Sequence, residues 1–591
     1  MPSLGNEHTV ESNRRSISRR GLLRAGAAGG AMVVAGCAGS EEGESGGTDT
    51  FIEPTTTQPT NWQFNHLNLT NPFAHEMQSD PLQRYHIANE EFDSYAVSVE
   101  EFSGETAVLK VRDGLTWHNG DPGDPVNADD LYTKLATDAI IGDTISTLWT
   151  DMQRAGDKSV ELTLDGTVNE RLFMDALNYY WLETPHRLYR DYVERWEDAT
   201  TDDEVADIRS DLRNDAFDEP KGNGPFQFEE RTNNYLRMSL YEHHPDADNI
   251  NWDYWEIQRV STDTASVLLG GEVDGIRNYT APESVFESAP DDLLHAQLPA
   301  LWGHSLPFNH EDEDFGNIYV RQAICEFIDR DACASNYGRF GQPVEAPSGL
   351  VGNIDGQNEQ SDRWRNKVSD EMAEQLHRYD DPERGRRLLE GEGYQKDDGE
   401  WYRPDGSRFE VTVKTVAGFN DWHPIYETIV DNLNAEGIAA ELQQIEESAY
   451  WSNHYLAGDF QLASTGWTLQ RSSPYYVFDM YYNIDPEFMN LSPDDLEAPP
   501  MGDPDGELES VDPRGLMEEL LVTQDDAEAT SLVDELAWIT NQTMPMLQIN
   551  EINDPVWFYT DDWEVPEPDS PKYQSKWPLW WFPRFGDLQA K

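Results

Sequence analysis

The sequence predicts a mixed α/β protein folded into more than one lobe. Three observations carry this. About 540 residues follow Thr50, more than one core usually serves, so two or three lobes are expected. Short strand-like and helix-like segments alternate through them. Hydrophobic residues make up 38% of the chain and aromatics 11%, with 19 tryptophans, enough apolar surface to build cores in spite of extreme charge.

The elements follow in order. In "TAVLKVRDGLTWHNGDP", Val108, Lys110 and Arg112 alternate with Leu109 and Val111, a strand that breaks at Gly120-Asp121-Pro122. "NADDLYTKLATDAI" reads as a helix with Asn127 at its N-cap. "SVELTLDG" is a strand ending in a turn, and "TTDDEVADIRSDLRNDAF" a short acidic surface helix. "YDDPERGRRLLEGEGY" carries full helix punctuation: Asp381 as N-cap, Pro382 at the first position, Leu388 and Leu389 inward, Gly393 as the stop. "RFEVTVKTVAG" and "AAELQQIEE" are strands flanking the helix "HPIYETIVDNLNAEG". Residues 485–513, rich in Pro, Gly and Asp, read as a loop, and no internal repeat is evident.

The N-terminus has a different character. "SRRGLLRAGAAGGAMVVAGC" places Arg19-Arg20 ahead of an apolar run of about a dozen residues, where a spanning helix needs ~20. That order is a charged region, a short hydrophobic region and a small-residue cleavage site. Arg19-Arg20 resembles the twin-arginine export signal. Val34-Ala35-Gly36-Cys37 resembles the lipobox of exported lipoproteins, in which the Cys takes a lipid and becomes the first residue. Residues 1–36 are therefore expected to be a signal peptide, and 37–50 a lipidated Cys on a Gly/Ser/acid tether. This implies the extracellular face of the cell membrane, held through lipid on Cys37.

Acidic residues number 113 against 42 basic, a formal charge of −71. Nucleic-acid binding, which relies on basic surface, is excluded. The acids are spread along the chain and lysines number only ten. Such self-repulsion is relieved only where salt shortens the Debye length, to about 3 Å at 1 M. The composition resembles that of haloarchaeal proteins. Beyond Cys37, only Cys325 and Cys333 remain, in "VRQAICEFIDRDACASNYG". On one continuous helix they would lie ~12 Å apart, too far for a disulfide, so two buried thiols are expected. No CxxC or CxxH spacing is present, and neither metal nor cofactor is expected. His243-His244 precedes Pro245 and reads as a solvated turn.

Several motifs then occur in a familiar order. "VLKVRDGLTWHNGDPGDPVNADDL", "GNGPFQFEE", "LLGGEVDGI", "LPFNHEDEDFGNIYVRQAICEFIDRDA", "DDPERGRRLLEGEGY" and "STGWTLQRSSP" are among the segments that resemble the extracellular solute-binding proteins of the peptide/nickel class (family 5), which serve ABC importers. The resemblance runs from about residue 60 to the C-terminus. It implies a two-lobed, periplasmic-binding-protein-like fold of the large peptide-binding type. Lobe I would span 51–301 with an inserted subdomain, lobe II 302–546, and 547–591 would return to lobe I. Hinge strands would fall near Leu301–Asn309 and Met546–Asn550, with ligand buried between the lobes on closure. The expected partners are a small solute and ABC permease subunits with cytoplasmic ATPases, the protein itself being monomeric.

The resemblance also implies ligand-binding residues. Trp467 matches the family's cleft Trp. Gln470 stands where peptide-binding relatives carry an Asp that pairs with the α-ammonium, and Arg471 follows it. Gln cannot supply the charge-assisted bond an ammonium prefers. Ser305 and Gln548, with His304, fall on the presumed hinge strands. An oligopeptide or dipeptide is the expected load, and an oligosaccharide, with Trp451 and Trp467 as stacking faces, is the alternative. A hydrolase is the alternative of a different class. Apart from Gly43-Glu44-Ser45-Gly46-Gly47 in the tether, which has no strand–helix context for a nucleophile elbow, the sequence has no Gly-x-Ser-x-Gly pattern, and it has no His-Glu-x-x-His helix or Walker loop, so binding without catalysis is expected.

Overall fold

The structure is a computed structural model. It describes residues 49–591 except 56–57, 63, 69–74, 143, 179, 218–221, 261–263, 420, 469–470, 472 and 485. Arg19, Arg20, Cys37 and Gln470 lie outside the described residues.

Local sequence chemistry sets the elements. Asn127 caps the helix Ala128–Ile141 with a capping box completed by Asp130, and Thr201 does the same for Asp202–Asn214 with Glu204. Asp381 caps Pro382–Gly391, accepting from the Glu383 amide. The Cys-bearing segment departs from a single helix. It divides into Ile318–Phe327 and Arg330–Tyr337, because Asp329 caps the second by accepting from the Ala332 amide at 2.8 Å. Both thiols are free and buried as expected, and burial pushes each up in pKa. Residues 485–513 hold one 3-10 turn, Pro493–Asp495, and the short pair Glu497–Ala498 with Glu509–Ser510.

Sheets and cores then assemble. Thr50–Thr55 runs parallel to Tyr254–Arg259, which continues antiparallel into Tyr235–Leu240 and Phe226–Arg231. Phe51 and Trp255 from this sheet share a core with Trp563, Leu579 and Phe582, so the end of the chain packs on its first strand. The second sheet is antiparallel: Val97–Phe102, Thr106–Val111, Ser159–Leu164 and Trp149–Arg154 in spatial order. Its inward residues Ala107, Leu109 and Val111 meet Leu131 and Leu135 of Ala128–Ile141. That core continues into Tyr476, Phe478, Leu536 and Trp538. A third core holds Val411 and Val413 of Glu410–Val416, a strand parallel to Ala439–Ile445 through the helix His423–Glu436.

Two connections join these parts. His304–Pro307 lies antiparallel to Met546–Gln548 with Ser305 opposite Gln548, and also pairs with Thr465–Gly466. Leu293–Pro299 pairs with the long, wholly buried strand Asn550–Tyr559. Both segments expected at the waist thus run side by side.

One expectation is corrected here. His244 is not in a solvated turn: it is 4% exposed, with its ring nitrogen 2.9 Å from the Asp80 carboxylate, which Arg584 also contacts. Burial opposes the Asp80 charge, but His244 and Arg584 hold its pKa below the usual aspartate value. His243 remains partly exposed and contacts Asp121.

Candidate functional site

A cavity of about 660 Å³ is lined by residues of the first sheet, of the long strand Asn550–Tyr559 and of the third core. That is the size of a small-solute site, about 300–1,000 Å³. One wall is built from the end of the first strand, Glu53 to Thr55, with Ile276, Arg277 and the pair Trp577 and Trp580. The lining also includes Trp302, Tyr337 and Asp421, with residues 552–555 of the long strand.

The chain reaches this arrangement through costly backbone. Leu301 has φ +59° and Trp577 φ +55°, the left-handed region that side-chain-bearing residues avoid at a cost of roughly 1–2 kcal/mol. Each turn delivers a tryptophan to the cavity wall. Between Trp302 and His304, Gly303 approaches so closely that an added Cβ would lie 1.8 Å from the Asn550 carbonyl oxygen. Trp577 and Trp580 pack at 4.3 Å between ring centroids.

Charge on the wall is organised around Arg277. Its Nε lies 2.9 Å from Glu53 and its Nη2 3.2 Å from Glu76, with the guanidinium 5.4 Å from the Trp580 ring. Burial pushes the Glu53 carboxyl up in pKa against the pull of Arg277. Burial also works against the arginine's charge, but the two glutamates hold its pKa above the usual value. Asp554 is paired with buried Lys576 at 3.2 Å. Among the described residues Arg277 is the single cation lining the cavity, against the carboxylates of Glu53, Glu76, Asp421 and Asp554.

A family profile, that of bacterial extracellular solute-binding proteins, family 5 (middle), matches residues 96–487, roughly two thirds of the chain. The chain belongs to this family. Among curated proteins none matches it. Solved structures match in fold. The mannohexaose-bound periplasmic oligopeptide-binding protein of Thermotoga maritima has TM-score 0.68 and 18% identity, covering 92% of this chain and 99% of its own. The oligopeptide-binding protein AppA of Bacillus subtilis, in complex with a nonapeptide, has TM-score 0.63 and 16% identity over 92% and 99%. NikZ of Campylobacter jejuni, in complex with Ni(L-His), has TM-score 0.65 and 14% identity over 89% and 99%. The two-lobed family 5 fold and a solute-binding role follow. Among the described residues no helix is long and apolar enough to cross a membrane.

Within this fold, the residues expected from the sequence take the following places. Ser305, Gln548 and Trp467 come together at the paired strands His304–Pro307 and Met546–Gln548. Ser305 Oγ donates to the Thr465 carbonyl at 3.1 Å, and Trp467, fully buried, donates through Nε1 to the Asn550 carbonyl at 2.9 Å. Gln548 Oε1 accepts from the Ser348 and Gly349 amides at 2.7 and 2.8 Å. Arg471 is apart from them, donating to the Asp175 carbonyl in the helix Glu170–Leu177 and lying 4.6 Å from the Tyr476 ring. None of these four lines the 660 Å³ cavity. His304 sits beside it with Nδ1 bonded to Asn550 Oδ1, and burial lowers its pKa to about 4. Trp451 packs on Tyr450 and Tyr455. Sequence reasoning missed Trp62, Arg277, Trp302, Asn553, Trp577 and Trp580. The crowded "KWPLWWFPRF" was the one local signal of an aromatic wall.

Proposed function

We propose that this family 5 protein captures a neutral or peptide-like oligomer in the cavity between Trp302 and Trp577 and delivers it unaltered to an ABC permease. The single observation behind this is the character of the wall: four tryptophans, two tyrosines, and carboxylates in excess of cations. Related structures hold a nonapeptide, mannohexaose or Ni(L-His), so the fold does not choose the load. The wall chooses against some loads. A ligand carboxylate would find no cation among the described lining residues except Arg277, which two glutamates already hold. A free peptide C-terminus is therefore disfavoured, while a capped or internal peptide segment or an oligosaccharide is accommodated.

The finer features belong to the same proposal. Lobe boundaries near 301 and 546 would let the paired waist strands act as the hinge, and Trp467, Ser305 and Gln548 would serve the site by setting the geometry of that waist. Gln470 and Arg471 would contribute hydrogen bonds from the segment beside it. The chain would be a monomer, exported through Arg19-Arg20 and tethered outside the cell by lipid on Cys37, in the molar salt its charge calls for. The test is to purify the protein from its own membranes and identify the released solute by mass spectrometry. An intact neutral oligomer supports capture. A co-purified product of hydrolysis, or turnover of the solute by the pure protein, would overturn the reading.

A further inference from the structure

Among the described residues, three buried polar groups on the cavity wall have no partner. Asn553 is 0% exposed, yet neither its side-chain Nδ2 nor its Oδ1 makes a hydrogen bond. The indole Nε1 atoms of Trp62 and Trp580 are likewise buried and unbonded, in residues 4% and 5% exposed. Buried polar atoms in folded proteins are satisfied in the great majority of cases, and each exception calls for an explanation. On its strand the Asn553 backbone N–H donates to the Phe340 carbonyl, and its neighbour Asp554 is paired with Lys576.

The three groups define what a ligand must offer. The indoles and Asn553 Nδ2 are donors and need acceptors, whereas Asn553 Oδ1 is an acceptor and needs a donor. An ammonium supplies donors only and would leave both indoles unbonded. A carboxylate supplies acceptors only and would meet a wall where acids outnumber cations. A hydroxyl supplies both from one oxygen. The aromatic faces of Trp302, Trp577 and Tyr337 add flat apolar surface suited to the C–H faces of a sugar ring. Backbone recognition of an extended peptide is poorly served here. It depends on strand-like N–H and C=O groups, and the wall places Pro54 and Pro555, which have no N–H, at the cavity.

We propose that the cavity is a carbohydrate site, which takes a neutral, polyhydroxylated chain with Asn553 and the Trp62 and Trp580 indoles bonding its hydroxyls. This rests on the reading of the cavity as the solute site. The full protein is titrated calorimetrically at molar KCl with neutral linear hexose oligomers of about two to six units, and in parallel with N-acetylated, C-amidated peptides. A member of the oligosaccharide panel binds, and Asn553→Leu weakens it about 10- to 100-fold. Trp62→Phe, which keeps a ring and removes the N–H, weakens it about 5- to 10-fold and serves if the Asn553 variant does not fold. Capped peptides that bind in the cavity while no oligosaccharide does would overturn the carbohydrate assignment and leave solute capture standing. Binding of an oligosaccharide unaffected by both substitutions would also overturn it. If neither panel binds, the carbohydrate proposal falls, and the solute recovered from native membranes decides the broader reading separately.

Discussion

Replacing Arg277 with Met is expected to destabilise the protein in a pH-dependent way. The guanidinium is the shared partner of Glu53 and Glu76, whose side chains are only 7% and 5% exposed. Methionine keeps much of the stem's packing and removes the charge, leaving two buried carboxylates close together without a cation. Breaking a buried ion pair from one side costs about 3–5 kcal/mol, because the remaining charge is stranded. The cation–π contact to Trp580 is lost as well. Urea unfolding at molar KCl, followed by circular dichroism, measures the difference at pH 7. Adding Glu53→Gln and Glu76→Gln to the variant should restore most of it, since neutral amides no longer need the cation. The sign with pH follows from Glu53, whose pKa is already raised by burial. A carboxyl with a raised folded pKa binds protons more readily in the folded state, so stability rises as pH falls toward that pKa. The deficit of Arg277→Met should therefore shrink between pH 7 and pH 5. A variant within about 0.5 kcal/mol of the parent, the range of an ordinary surface substitution, would refute the reasoning, as would a deficit independent of pH and of the glutamate substitutions.

Gln548→Leu should cost about 2–5 kcal/mol, because it orphans the buried Ser348 and Gly349 amides, and urea midpoints check it. His295 and His304, both lowered to about 4 by burial, stay neutral in the folded state while unfolded imidazoles protonate near 6.5. The unfolded state then binds more protons, so their contribution is present above pH 6.5 and is lost between about 6.5 and 4, by up to roughly 3 kcal/mol each. Replacing His304 by Phe should flatten that slope in unfolding titrations, and an unchanged slope would contradict it. Cys37→Ser should release the exported protein into the medium, and fractionation showing it still membrane-bound would place the anchor elsewhere.

Much of the fold was legible because it is written locally. Asn127, Thr201 and Asp381 are side-chain caps whose partners lie within three residues, and the alternation from Val108 to Arg112 records a sheet with one buried face. The break at Ile328–Asp329 was missed because the apolar spacing continues through it, while the Asp329 cap that ends the register is a single residue. His244 was misread for a related reason. Its partner Asp80 lies 164 residues away, and nothing near Pro245 announces it. The site was least legible. Glu53, Arg277, Asn553 and Trp577 meet only when the two chain ends share one core, and no spacing in the sequence records that meeting. The family motifs led instead to Trp467, Ser305 and Gln548, which bond to backbone at the waist beside the cavity.

A crystal structure of the protein grown from molar salt with its captured solute bound is the most direct measurement. The account predicts ligand density between Trp302 and the Trp577–Trp580 pair, with the Asn553 amide within hydrogen-bond distance of it and the Glu53–Arg277–Glu76 cluster intact. Density confined to another part of the molecule, with this cavity holding only solvent, would contradict it.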